Sequence, residues 1–223
     1  MSLAVVHSRA LDGLSAAAVS VEVHLATGLP AFTLVGLADT EVKEARERVR
    51  AALINSGLGF PHNKRVTVNL APADLPKEGS AFDLPIALGL LAANGQIDAA
   101  RLAGLECAGE LSLAGELRRV RGALAMALTL KSDGVARQLV LPAGSAAEAA
   151  LVRGVDVRAA AHLLELVEAL QPESQATLSA ATAAPTPPAA PVPDLADIKG
   201  LAAPRRALEI AAAGGHSLLS VYA

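Results

Sequence analysis

The sequence predicts an α/β protein built on a mixed (α+β) sheet, and three observations carry that expectation. Hydrophobic residues make up 52% of the 223 residues and aromatics only 2%, so the core has to be aliphatic. Alanine-rich stretches with one apolar face favour helices, and valine-rich stretches that alternate favour strands. The two kinds of stretch take turns along the chain, which implies a partly parallel sheet joined by right-handed crossovers.

Val19 to Leu25 alternates with the two-residue period of a half-buried strand. Gly28 and Pro30 supply a turn before a second strand over 31–35, which predicts a hairpin and makes the sheet mixed. Asp39 or Thr40 caps a helix with Glu41 in its first turn, and Gly57 ends it. Val42, Ala45, Val49 and Leu53 form its apolar face; Lys43, Glu44, Arg46, Glu47, Arg48 and Arg50 form the other. Val66 to Leu70 reads as a strand, and 71–80 as a polar loop. Asp83 is placed to cap a helix over 84–93, with Pro85 in its first turn. That helix is apolar nearly all round and belongs at the centre of the core. Two short strands flank Ala114-Gly115 within 106–117. A helix (122–131), a strand (138–141), a helix (145–151), a strand (155–158) and a helix (162–170) complete a domain over 1–171. Residues 172–193 hold six of the 13 prolines and read as an extended linker. Residues 194–223 begin a second unit, with a helix over 202–212 and a strand over 217–221.

The net charge of −3 excludes a chain that coats nucleic acid through bulk positive charge. A single cysteine, Cys107, excludes an internal disulfide and reads as a buried structural thiol. The five histidines are scattered, and no metal-ligand spacing occurs. No secretory signal opens the chain, and the longest apolar run is too short to span a membrane. The expected location is cytoplasmic, with no membrane partner.

Several strings resemble the Mg-chelatase-like AAA+ ATPase family of the ComM (YifB) type. They include Val35-Gly36-Leu37-Ala38-Asp39, Val42-Lys43-Glu44-Ala45-Arg46-Glu47-Arg48-Val49-Arg50 and Phe60-Pro61-His62-Asn63-Lys64-Arg65. Val68-Asn69-Leu70-Ala71-Pro72-Ala73-Asp74-Leu75-Pro76-Lys77-Glu78-Gly79 and Phe82-Asp83-Leu84-Pro85-Ile86-Ala87 go with them, as do Gly109-Glu110-Leu111-Ser112-Leu113 and the 205–216 stretch. The resemblance covers nearly the whole chain except the linker. It implies a Lon-protease-like, ribosomal-protein-like two-layer domain ahead of an AAA+ motor. It further implies hexameric rings and DNA branch migration in natural transformation, with ATP and Mg2+ as the cofactors of the full-length protein. No cofactor is expected for this chain, which ends at Ser220-Val221-Tyr222-Ala223 where the run into the phosphate-binding loop should begin. A frameshift, a premature stop or a split gene is the expected cause, and ATP hydrolysis by the chain alone is not expected.

The resemblance also places a Ser-Lys peptidase dyad. Its nucleophile position falls on Ala81 and its lysine position on Leu124; Ser80 is one residue early and Lys131 two turns away. Proteolysis is therefore not expected, and a residual serine protease is the weakest alternative. Phosphate contact needs several cations on one face. Arg46, Arg48 and Arg50 are balanced by Glu41, Glu44 and Glu47 and read as a solvated face, and His62 sits in a turn. Lys64, Arg65, Lys77, Arg118, Arg119 and Arg121 are the candidate DNA contacts. With so few aromatics, binding should follow the backbone and ignore sequence. A structural oligomerisation collar without DNA affinity is the rival.

Overall fold

The computed structural model describes residues 2–183 and 193–219. Its first element is a strand that periodicity does not reveal. β1 (Ser2–Asp12) and β2 (Ser15–Thr27) form a long antiparallel hairpin, in register from Ser2↔Leu25 to Asp12↔Ser15. Ser8, Arg9 and Ala10 are all buried, so β1 is covered on both faces there and loses the alternation that marks β2.

β3 (Ala31–Val35) does not pair with β2, which corrects the expected hairpin. Helix α1 (Thr40–Asn55) carries the chain back to β4 (Lys64–Ala71), which inserts between them, antiparallel to β2 and parallel to β3. The longer strand takes the inner place because it has more to bury. Val66, Val68 and Leu70 extend the apolar surface of Val19, Val21, Val23 and Leu25, whereas Phe32 and Leu34 of β3 are only partly buried. Gly36, at φ 98°, then lets the backbone turn away tightly against the Leu70 carbonyl.

Helix α2 (Asp83–Ala93) follows a short 3-10 turn, Ser80–Phe82, and lies across β1 and β2 and against α1. Only Ala92 of its eleven residues escapes full burial, as the all-round apolar pattern anticipates. The remaining elements are α3 (Ala99–Leu102), β5 (Leu105–Cys107), β6 (Glu110–Leu111), β7 (Leu117–Arg118), α4 (Ala123–Ser132), β8 (Gln138–Pro142), α5 (Ala143–Ala149), β9 (Val157–Ala160), α6 (Leu163–Ala169) and β10 (Ser179–Ala180). The eight-stranded sheet has the order β10-β9-β8-β5-β1-β2-β4-β3, and β6-β7 form a separate hairpin. β1, β5, β8 and β9 run parallel to one another, and antiparallel pairing flanks them on both sides.

Two apolar clusters cover the sheet. One gathers the inner faces of β1, β2 and β4 with α1, α2, α3 and α6. The other places α4 and α5 on the opposite face, where Leu139 and Leu141 point, while Val140 between them points to the first cluster. The implied two layers thus become three over the parallel strands. Cys107 is fully buried there, and burial pushes its thiol well above the usual range, which fits a structural role.

The first compact unit reaches Ala184, so residues 172–181 belong with the sheet and not with a free linker. Arg101 donates to the carbonyls of Ala169, Pro172 and Ser174. β10 pairs antiparallel with β9, and Ala181 N–H donates to Val157. In the second unit, Pro185–Ala223, a 3-10 turn at Leu195–Asp197 carries a capping box from Asp194 and Asp197. Helix α7 (Ala202–Gly214) follows and ends on Gly215 in the left-handed region. Residues 216–219 have no regular structure, which corrects the expected strand there; 220 and 221 lie outside the described residues.

Gly89 of α2 faces β2, and a Cβ built there would stand 2.5 Å from Val23 Cγ2. Gly89→Ala is expected to destabilise the fold by about 1–3 kcal/mol, read as a lower urea midpoint with an unchanged slope.

Candidate functional site

A cleft of about 430 Å3 opens between the start of α1, the 78–82 turn, β6-β7 and the far end of β1. Asp39 builds its rim. One carboxylate oxygen caps α1 by accepting the Val42 N–H (2.7 Å), and the other accepts the Gly79 N–H (3.0 Å). Backbone bonds from Lys77 to Leu37 and from Asp39 to Lys77 fasten the 72–79 loop to the segment after β3. Arg9, Glu41, Glu78, Ser80, Glu110, Arg119 and Arg121 complete the polar lining, over a floor that includes Ala10, Phe82 and Met126. A cavity of about 470 Å3 lies at the amino ends of β5 and β8, with Lys131, Arg137, Gln138 and Asp156 among its lining residues. Gln138 donates to Asp156, and Arg137 lies 3.7 Å from Glu106.

Beneath the cleft, Asp83 does not cap α2 as its position suggested. It is the first helical residue, fully buried, and it receives Arg48 through two bonds of 2.7 and 3.0 Å and the Leu111 N–H at 3.2 Å. Arg48 also donates to the Glu41 carbonyl. One ion pair therefore joins α1, α2 and β6. Burial raises the Asp83 carboxyl from 3.8 to about 6, although Arg48 and the Leu111 N–H pull the other way.

The positions assigned to a peptidase dyad carry an alanine and a leucine. Ala81 and Leu124 both pack against the α4-α5 cluster. The Ser80 hydroxyl is held by Glu110, which Arg118 approaches at 3.4 Å. No lysine or histidine lines the cleft beside Ser80, so the Ser-Lys pair of the peptidase pattern is not formed there.

The candidate cations scatter. Lys77 is fully buried and donates to the Pro72 carbonyl, so its ammonium fastens a loop and is withdrawn from any surface ligand; burial lowers its pKa. Lys64 and Arg65 start β4 beside Thr27 and Ala26, at the end of the β1-β2 hairpin that holds Ser2. Lys64 reaches Asn94 at 3.0 Å. Arg118, Arg119 and Arg121 lie at the other end, where Gly122 abuts Leu11. Nine strand residues separate the two ends, about 30 Å, so the two groups do not form one contiguous patch. Of the helix arginines, Arg48 is committed to Asp83, whereas Arg46 and Arg50 are exposed. Among the described residues there is no group of acids, histidines and cysteine placed to hold a metal ion, and no helix is long and apolar enough to cross a membrane.

The family described as subunit ChlI of Mg-chelatase matches residues 21–145, the stretch from β2 to α5 that contains the whole cleft except the end of β1. The chain belongs to this Mg-chelatase ChlI family. Within the family it is similar to YifB of Salmonella typhimurium (46% identical over 223 residues) and YifB of Escherichia coli (45% over 221). It is also similar to the competence protein ComM of Haemophilus influenzae, at 47% over 222 residues. These matches cover 98–99% of this chain and 43% of each relative. The chain thus spans less than half the length of the family members it matches.

The raised Asp83 carboxyl has a consequence for stability. Between its unfolded value near 3.8 and its folded value near 6 the native state binds the extra proton, so this contribution is present at low pH and lost as pH rises through 6. Relative to Asp83→Asn, the wild-type chain is expected to gain about 1 kcal/mol between pH 7.5 and pH 5, measured by urea denaturation at both pH values.

Proposed function

We propose that this chain supplies the non-proteolytic accessory domain of a ComM-like AAA+ ATPase, and that it contributes DNA contact to that protein. The observation that supports the non-proteolytic half is that both dyad positions, Ala81 and Leu124, carry apolar side chains packed against the α4-α5 cluster. The cleft beside Ala81 keeps the Ser80 hydroxyl bound to the Glu110 carboxylate, with no lysine or histidine in its lining. Family membership and the 47% identity to ComM support the competence-related, DNA-handling half. The ATP and Mg2+ of such a motor, its hexameric ring and its branch-migration activity belong to the whole protein on this reading.

A structural collar is the second reading, and one observation favours it. β3 is an edge strand with no charged residue, bracketed by Leu29 and Leu37, which are 81% and 58% exposed. Uncharged, uncovered edges pair readily with other chains.

Incubation with a fluorophosphonate serine probe and with casein tests the first reading. Neither labelling nor cleavage is expected. Labelling at Ser80 that disappears in Ser80→Ala would restore the peptidase reading in its place.

A further inference from the structure

Helix α1 sorts its charges in a way that composition hides. Of its acids, Glu41 lines the cleft and Glu44 lies 3.7 Å from Arg48, which pairs with Asp83. Lys43, Arg46 and Arg50 occupy the flank toward β3, at the i, i+3, i+7 spacing that aligns side chains along one face. Only Glu47, 3.4 Å from Arg46, offsets them on that side.

Two of these cations are held by aromatic rings. The Arg46 guanidinium lies 5.8 Å from the centroid of Phe32 on β3, and that of Arg50 lies 5.8 Å from Phe60. Phe60 in turn meets the exposed ring of His62 edge-on at 5.3 Å. The chain has three phenylalanines, so two of the three serve to seat arginines on one surface. A guanidinium laid on a ring keeps its N–H edge free, loses less freedom on binding, and suits the two-pronged recognition of a phosphate. Arg65, opposite Ala31 on the neighbouring strand, alternates with the core-facing Val66 and so lies on the other face of the sheet, outside this row.

We infer that this corner of α1, β3 and the 60–65 turn binds the phosphodiester backbone of a single nucleic-acid strand. From residue 43 to residue 50 the cation row spans about 10 Å of helix axis, about three nucleotide rises in a stacked strand. The exposed His62 ring gives an adjoining base a face to stack on, which an acidic peptide would not use. Nothing at the site reads base edges, so binding is independent of sequence. The inference rests on the reading that the domain handles nucleic acid, and it moves the contact away from the cleft arginines.

Fluorescence anisotropy of the full chain with a labelled oligothymidine strand across a salt series tests it. Arg46→Ala/Arg50→Ala is expected to weaken binding about tenfold and to flatten the log–log salt slope by about 1.4, two charges at roughly 0.7 each. Arg46→Lys/Arg50→Lys should restore the slope, and Arg119→Ala/Arg121→Ala should leave both quantities unchanged. All four residues are exposed, and matching urea midpoints would show that the variants fold. If only the Arg119/Arg121 variant loses affinity, the contact lies in the cleft; the proposed function stands and this inference falls. Displacement of the strand by polyglutamate at equal charge concentration would make the corner an acidic-peptide site and overturn it as well. If the wild-type chain shows no salt-dependent binding, the DNA-handling half of the proposed function falls too.

Discussion

The buried ion pair between Arg9 and Glu106 holds the two halves of the sheet together. β1 is the seam, antiparallel to β2 on one side and parallel to β5 on the other. The parallel contact is short, with His7↔Glu106 as its register pair. Both charges are 2% exposed, and Arg9 also reaches Asp133 (2.8 Å) after α4 and the Ala16 carbonyl (2.9 Å). Arg137 approaches Glu106 from before β8. Removing one partner of such a pair leaves an uncompensated charge in the core, which costs about 3–5 kcal/mol. The pair therefore fixes the register of a junction that its own backbone bonds hold only briefly, and the cleft at the end of β1 depends on that register.

The same logic operates one layer out. Arg48 and Asp83 fix α1 against α2 and β6, and Asp39 fixes the start of α1 against Gly79. With these placed, the flank of α1 that carries Arg46 and Arg50 has only one orientation, over Phe32 and Phe60. A buried pair on one side of a helix thus sets which cations the other side presents.

Much of this was legible in the chain. The apolar α2, the alternation of β2 and β4, the Asp39 cap and the buried Cys107 all follow from local pattern, because one residue's environment there repeats along its element. The misread parts depend on distant partners. β1 escapes the periodicity because Arg9 is buried by residues about a hundred positions away, and the β2-β3 hairpin is expected because nothing local says that β4 will compete for the same edge. Lys77 looked like a surface cation because its acceptor, the Pro72 carbonyl, is a backbone atom with no signature in sequence. Counting charges along α1 does not show which acid pairs with which arginine, since Arg48 is drawn to Asp83 from outside the helix. Nothing in the local pattern announces the cleft beside Ala81, because its walls come from segments more than a hundred residues apart.

The seating of residues 172–181 bears on how the domain is handled as a separate piece. A fragment ended at 171, where the prolines begin to thicken, would remove the acceptors of Arg101 at Pro172 and Ser174 and the strand that covers β9. It would also strip Leu178 from the core it leans on. The bared edge of β9 would then offer unpaired backbone groups to any strand in solution. Such a piece would precipitate for reasons unrelated to its fold, whereas one carried ten residues further keeps its margin sealed.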